Sequence, residues 1–389
     1  MVARDDHAYN GDPIGFSALA EDYAFAAYHQ ARGSFLSKAK ATHAAIESHI
    51  HPCSPHPSGA VFGVDTAWYG PRDAKTILVM ISGTHGLELF SGSAMQRLWM
   101  DQHKSSAPQD LGVLLIHAIN PYGSAHASRT TENNVDLNRN FTDFSKRPDQ
   151  SPITSKVQDT LSLSSRRGPR LSAVLARLFW LSVRYGKTKI LNEVTAGQYQ
   201  CPDGIGYGGD APEWSNTLLK DILSRFLGQA KRVAVLDWHT GIGAYGKPFF
   251  LCFDAPGSAE FDRAVAWWGD TVSQSAKGFG GKAKPEYQGL LLKAVQDILH
   301  TSGAETTAAV IEFGTYPNQK MLQALLRDRW LRSEVAKDAT AQERSAHLEA
   351  IKTAFCPDDP AWRESVIRHG QTILTQTMTG LAQWQSEHE

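Results

Sequence analysis

The sequence is poor in the features that would place it in a special class. It has four cysteines in 389 residues, Cys53, Cys201, Cys252 and Cys356, far apart and with no C-x-x-C pair. That argues against a cysteine metal cluster and predicts reduced, mostly buried thiols rather than a disulfide framework. No window reaches the roughly 18 uncharged apolar residues of a membrane span. The most apolar helical stretch, 171–185, is interrupted by Arg177 and Arg184 and reads as a partly buried surface helix. An excess of one charge is also lacking: 39 Lys and Arg stand against 40 Asp and Glu, a net −1. Neither nucleic acid nor a membrane surface is therefore expected as a partner. The opening residues have no apolar signal core, and with reduced thiols this predicts a cytoplasmic protein. Internal repeats, low-complexity tracts and long linkers are missing as well.

What is present is ample material for one large core, with 42% hydrophobic residues. Short apolar runs at 75–81, 112–117, 233–236, 249–253 and 308–313 read as buried strands. Helical periodicity fills 18–48, 91–103, 170–185, 215–228, 258–275, 318–335, 340–354 and 360–384. Within 18–48 the apolar positions include Phe25, Tyr28, Phe35 and Ala39. Strands alternating with helices predict an α/β fold, a three-layer α/β/α sandwich around a central mixed, largely parallel sheet. The chain reads as a single domain over 1–389. Residues 1–60 form an N-terminal helical region, 51–59 a breaker-rich loop, and 142–200 a surface insertion with a helix; its polar first part, 142–169, reads as a surface excursion rather than a domain boundary.

Four motifs carry the chemistry: HGLE at 85–88, VDLNRNF at 135–141, DWHTG at 237–241 and IEFG at 311–314. His85 follows the run 75–81, His239 follows 233–236, and Glu312 ends 308–313. In open α/β sheets that edge is where ligands bind. Hydrolytic zinc takes three protein ligands and keeps one position for water, and His and carboxylate are usual donors. His85 and Glu88 can meet if the chain turns tightly, which Gly83 and Gly86 permit, and His239 is the best third ligand. Asp237 lies two residues from His239, on the same side of a continuing strand. Gly204–Gly209 is glycine-rich but lacks the Gly-Lys-Ser/Thr of a phosphate loop, and no G-x-S-x-G elbow accompanies Ser82, Ser91 or Ser93.

These motifs resemble the zinc carboxypeptidase (M14-like) superfamily, and most specifically its bacterial DUF2817-like branch. Residues 82–96, 117–123 and 129–141 carry that likeness, with Phe35, Asp65 and Tyr207-Gly208-Gly209. Leu89 stands where the branch usually has Gly. The resemblance implies that His85, Glu88 and His239 hold Zn²⁺ and that Glu312 is the general base. It implies that Arg129 stabilises the oxyanion, that Asn138 and Arg139 grip a substrate carboxylate, and that Asp136 orients a ligating histidine. A mobile tyrosine is also implied; Tyr287 is the choice by position, with Tyr245 and Tyr207 as competitors. Each role suits its chemistry. A carboxylate beside metal-activated water can shuttle a proton, and a guanidinium matches a carboxylate bidentately.

The expected activity is zinc-dependent hydrolysis of an amide bond near a free carboxylate, carboxypeptidase-like, on a small peptide. Two rivals stand beside it. One is a deacylase of N-acyl amino acids of the succinylglutamate desuccinylase/aspartoacylase kind; the other is a binding protein that keeps the fold without catalysis.

Overall fold

A computed structural model describes residues 27–55, 59, 61–103, 110–146, 151–269, 272 and 287–388. In chain order, α1 (Tyr28–Ala41) leads into β1 (Ala45–Ile50), β2 (Gly63–Tyr69) and β3 (Thr76–Ser82). Then come α2 (Leu89–Gln102), β4 (Leu111–His117) and the short α3 (Pro121–His126). A helical excursion follows, made of α4 (Pro152–Leu161), α5 (Leu171–Tyr185) and α6 (Lys187–Thr195). After α7 (Trp214–Leu227), the chain runs through β5 (Arg232–Gly241), β6 (Pro248–Leu251), α8 (Ala259–Trp268), α9 (Leu291–Thr301) and β7 (Glu305–Gly314). It ends on α10 (Asn318–Leu331), α11 (Ala341–Phe355) and α12 (Pro360–Ser386).

The seven-stranded sheet has the order β1-β2-β4-β3-β5-β7-β6. Its centre, β4, β3, β5 and β7, is parallel, and the outer pairings β1·β2, β2·β4 and β6·β7 are antiparallel. Alternation explains why the central runs are apolar throughout. In β3, Leu78 and Met80 enter a core with Trp99 of α2, Trp268 of α8 and Trp362 and Ile373 of α12. Ile77, Val79 and Ile81 point the other way, onto Leu223 and Phe226 of α7 and Val295 of α9. Helices thus cover both faces, as the three-layer reading expects. Helix α12 starts with Pro360 in its first turn and Asp359 capping the Ala361 N–H.

Several expectations are corrected. The N-terminal helical region is not helical to its end: 45–50 is an edge strand whose Ala45 to Ile50 pair with Trp68 to Gly63. Within the surface excursion 142–169 lies a helix that the sequence reading did not pick out, α4, opened by Ser151 accepting from the Ile153 N–H. Strand β5 runs five residues beyond the apolar run, so His239 lies within it. The 18–26 part of the first helical stretch, with Phe25, lies outside the described residues, as does most of 269–275. The four cysteines are free, and no helix among the described residues is long and apolar enough to cross a membrane.

Phe35 and Asp65 both adjoin His117 at the end of β4. Asp65 sits opposite His117 in register and accepts from Arg32 Nε at 2.7 Å and Ser48 Oγ at 2.6 Å. The His117 ring stacks on Phe35, centroids 4.5 Å apart, with Nε2 3.0 Å from Ser93 Oγ. Burial, against the opposing pull of Asp65, brings His117 from near 6.5 down to about 4. Its folded value lies below its unfolded one, so the unfolded chain takes the proton first. The stability this adds is complete above pH 6.5 and is lost as pH falls toward 4, at most roughly 3 kcal/mol. Denaturation curves at pH 7 and pH 4.5 should show a smaller loss in His117→Gln than in the parent; equal losses would contradict this account.

Candidate metal centre

The centre is built where three neighbouring parallel strands end. After β3, Gly83 adopts φ +74, a left-handed turn that suits glycine. Its carbonyl accepts the Asn120 N–H, tying the turn to the end of β4. His85 is extended, and Gly86–Glu88 makes one 3-10 turn into α2. A β-carbon on Gly86 would lie 2.0 Å from the Gly123 carbonyl carbon and 2.2 Å from Ser124 N, so only glycine fits against α3. Leu89 opens α2 with ordinary right-handed geometry (φ −48, ψ −43), and no glycine is required there.

This turn aims two side chains at β5. Glu88 Oε1 lies 3.1 Å from His85 Nδ1, and Glu88 Oε2 lies 3.0 Å from His239 Nδ1. One ligand atom from each of the three residues falls within 4.8 Å of the others, and all three are buried. The opposite ring nitrogens also face carboxylates. His85 Nε2 is 3.0 Å from Asp136 Oδ1, and His239 Nε2 is 2.9 Å from Asp237 Oδ2, a close contact too bent for a hydrogen bond. Thr84 Oγ1 donates to Asp237 Oδ1 at 2.9 Å. Asp136 is held by the Tyr207 carbonyl, which accepts the Asp136 N–H at 2.7 Å.

The donor set fits a divalent cation such as zinc. His85 Nδ1 is buried without a hydrogen-bond partner, and a histidine ligand ordinarily has its other nitrogen fixed by a carboxylate. The charge also fits. Glu88, Asp136, Asp237 and Glu312 are buried together, and among the described residues the guanidinium groups beside them are those of Arg129 and Arg139. Burial would strip a proton from His239, but Asp237 and Glu88 hold it well above the ordinary histidine range. A proton there and a cation answer the same demand. Burial raises Glu88 and Asp136, yet His85 and Arg129 bring both below the usual carboxylate range.

A second group, His51, Cys53 and Glu132, also converges, but its hydrogen bonds oppose metal binding. His51 Nδ1 accepts the Cys53 N–H at 3.1 Å. The ring proton is therefore on Nε2, which faces Glu132 Oε1 at 3.2 Å. No lone pair is left on the ring for a cation.

The remaining predicted residues surround the first group. Register places Glu312 of β7 beside His239. Burial and the nearby Glu88 push its carboxyl up to about 7, although the Ile242 N–H, 3.3 Å from Oε2, pulls it down. Arg129 donates to Glu88 Oε1 at 2.7 Å and approaches Asp136 Oδ2 at 3.4 Å. Asn138 Oδ1 accepts the Leu291 N–H at 2.9 Å. Arg139 spends Nη1 on the Asn138 carbonyl and Nη2 on that of Thr195, while Nε is buried and unpartnered. Of the three candidate tyrosines, Tyr287 has its ring against Arg139, the centroid 5.0 Å from Cζ. Tyr245 is exposed and donates to Asp359, and Tyr207 is buried. Thr84, Thr195, Tyr199 (which donates to the Arg139 carbonyl at 2.6 Å) and the Thr240 and Ile242 N–H groups escape sequence reasoning. Most act through the main chain, where residue type carries no signal.

A family model described as "Protein of unknown function (DUF2817)" matches residues 25–369. No curated protein matches the chain. Among solved structures, carboxypeptidase A from Helicoverpa armigera has a TM-score of 0.44 at 13% identity, covering 85% of this chain and 75% of that one. Bovine thrombin-activatable fibrinolysis inhibitor gives 0.43 at 10% identity, covering 84% and 98%. A candidate succinylglutamate desuccinylase/aspartoacylase family protein from Shewanella amazonensis gives 0.33 at 15%, covering 73% and 71%.

Gly86→Ala tests the turn. Two backbones would have to part, at about 3 kcal/mol or more, and His85 and Glu88 would lose their alignment. Lower denaturant midpoints with weakened binding of Zn²⁺ are expected; a variant of parental stability and affinity would refute the close-approach account.

Proposed function

This chain belongs to the DUF2817 family, and from that premise we propose that it is a zinc-dependent hydrolase of amide bonds, carboxypeptidase-like, whose substrate has a free carboxylate near the scissile bond. The observation that carries this reading is the convergence of His85 Nδ1 and His239 Nδ1 on Glu88, with each opposite ring nitrogen facing a carboxylate. His85, Glu88 and His239 would hold the metal. Zinc bound there supplies a Lewis acid that makes water nucleophilic near neutral pH.

The chain's own groups supply the rest. Glu312, buried and raised to about 7, is matched to accept a proton from water and return it to the leaving amine near neutral pH. Arg129 shares Glu88 Oε1. Were Glu88 to hold a metal, the Arg129 Nη1 would be free for negative charge developing on the substrate carbonyl oxygen, while Nη2 stays beside His85 and Asp136. Asn138 has its carbonyl turned to Leu291 N, which leaves the amide N–H₂ to donate. Arg139, buried with a free Nε–H, is a cation in want of an anion, and a substrate carboxylate meets that need. Tyr287 covers Arg139 and would border the same carboxylate.

The rival reading is a deacylase of small N-acyl amino acids. A pool of free-carboxylate peptides, their C-terminal amides and N-acyl amino acids, with and without chelator, separates the readings. Chelator-sensitive loss of free-carboxylate peptides supports the peptidase, and loss of N-acyl amino acids alone supports the deacylase.

Glu312→Gln should lower turnover of the responding substrate about 10²–10⁴-fold while bound zinc, read by atomic emission, stays at the parental level. Unchanged turnover would remove Glu312 from the reaction.

A further inference from the structure

The excursion α4–α6 carries a surface that the metal centre does not explain. Helix α5 is apolar on both sides. Val174, Leu178, Leu181 and Tyr185 pack inward with Ile153 and Val157 of α4 and Ile190 of α6. On the opposite side, Ala173, Ala176, Phe179, Trp180 and Val183 face solvent. Phe179, Trp180 and Val183 are 63%, 68% and 63% exposed, the highest values for large hydrophobic side chains among the described residues. Leu191 of α6 adds a further 39% exposed side chain. A helix that is apolar all round normally has a partner on each side.

The charge around this stripe names the partner. Arg170, Arg177, Arg184, Lys187 and Lys189 are all exposed, as are Arg166 and Arg167 beside Glu343, and along the chain no acidic residue occurs between Asp159 and Glu193. The whole chain is −1, so the positive charge is concentrated on this excursion. A second copy of the chain would bring like charges together across the stripe. A nucleic acid would satisfy the cations but offer nothing to Ala173, Ala176 and Val183. An anionic bilayer satisfies both, with headgroups for the cations and the acyl boundary for the aromatic and aliphatic groups.

We infer that the exposed face of α5, with the cations of 170–189, is a docking surface for the interface of an anionic lipid bilayer. The helix lies in the interface plane, with Phe179, Trp180 and Val183 inserted among the headgroups. This stands independently of the hydrolase reading, because none of these residues touches the metal centre.

The full-length protein is centrifuged with vesicles of phosphatidylcholine alone, or of phosphatidylcholine and phosphatidylglycerol at about 3:1. At low ionic strength, at least tenfold more protein should sediment with the anionic vesicles, and added salt should release it. Phe179→Ser/Trp180→Ser, whose side chains are exposed, should keep the parental circular dichroism and lose this binding. Arg177→Glu/Arg184→Glu should weaken it several-fold with the apolar face intact. The inference is overturned if anionic vesicles recruit no protein, or if neutral ones recruit as much. It is also overturned if the double serine variant binds like the parent, or if the parent forms a concentration-dependent dimer that the same variant dissolves. Tighter binding to single-stranded RNA than to anionic vesicles, lost in that variant, would assign the face to nucleic acid instead.

Discussion

One buried carboxylate holds the centre together. The two oxygens of Glu88 are shared by Nδ1 of His85 and of His239, by the Arg129 guanidinium and by the Thr240 N–H. A carboxylate taken out of water is expensive unless its lone pairs are occupied. These partners come from the turn after β3, from β5 and from the loop after α3. Satisfying Glu88 therefore fixes the spacing of three chain segments at once. The sheet register then brings Glu312 alongside His239 without any further contact being needed.

How much of this could be seen in the sequence depended on where the information lay. The parallel centre was legible because β3, β4, β5 and β7 are buried on both faces and read as unbroken apolar runs. The edge strand β1 was not. Its residues are half-exposed and mixed, and pairing with β2 rather than local preference makes it a strand. Helix α4 was hidden by the polar composition around it. Among the candidate site residues, His85, Glu88 and His239 could be named from compact motifs, and Asp136 from the family resemblance of its motif. Thr195 and Ile242 were not, since they contribute only a carbonyl or an N–H.

Averaging also conceals. A net charge of −1 describes the chain but no particular face of it. Five cations clustered on one helical excursion are invisible in the total, as were the apolar side chains that share their surface, because Arg177 and Arg184 marked the stretch as an ordinary surface helix. Which side of a helix a residue occupies, and whether another element covers it, follows only from packing.

The supports of the centre divide between two kinds of structure. His85, Glu88, His239 and Glu312 are carried by the sheet and its immediate turns, whereas Arg139 is steadied by the Thr195 carbonyl at the end of the helical excursion. A main-chain carbonyl is indifferent to the side chain that bears it. Substitutions, insertions or deletions in the excursion can therefore shift the guanidinium by small steps while the donor set stays put. On the proposed reading, related chains could diverge in what they accept without rebuilding the machinery that cuts it, and the variable part would be found in the helices rather than in the strands.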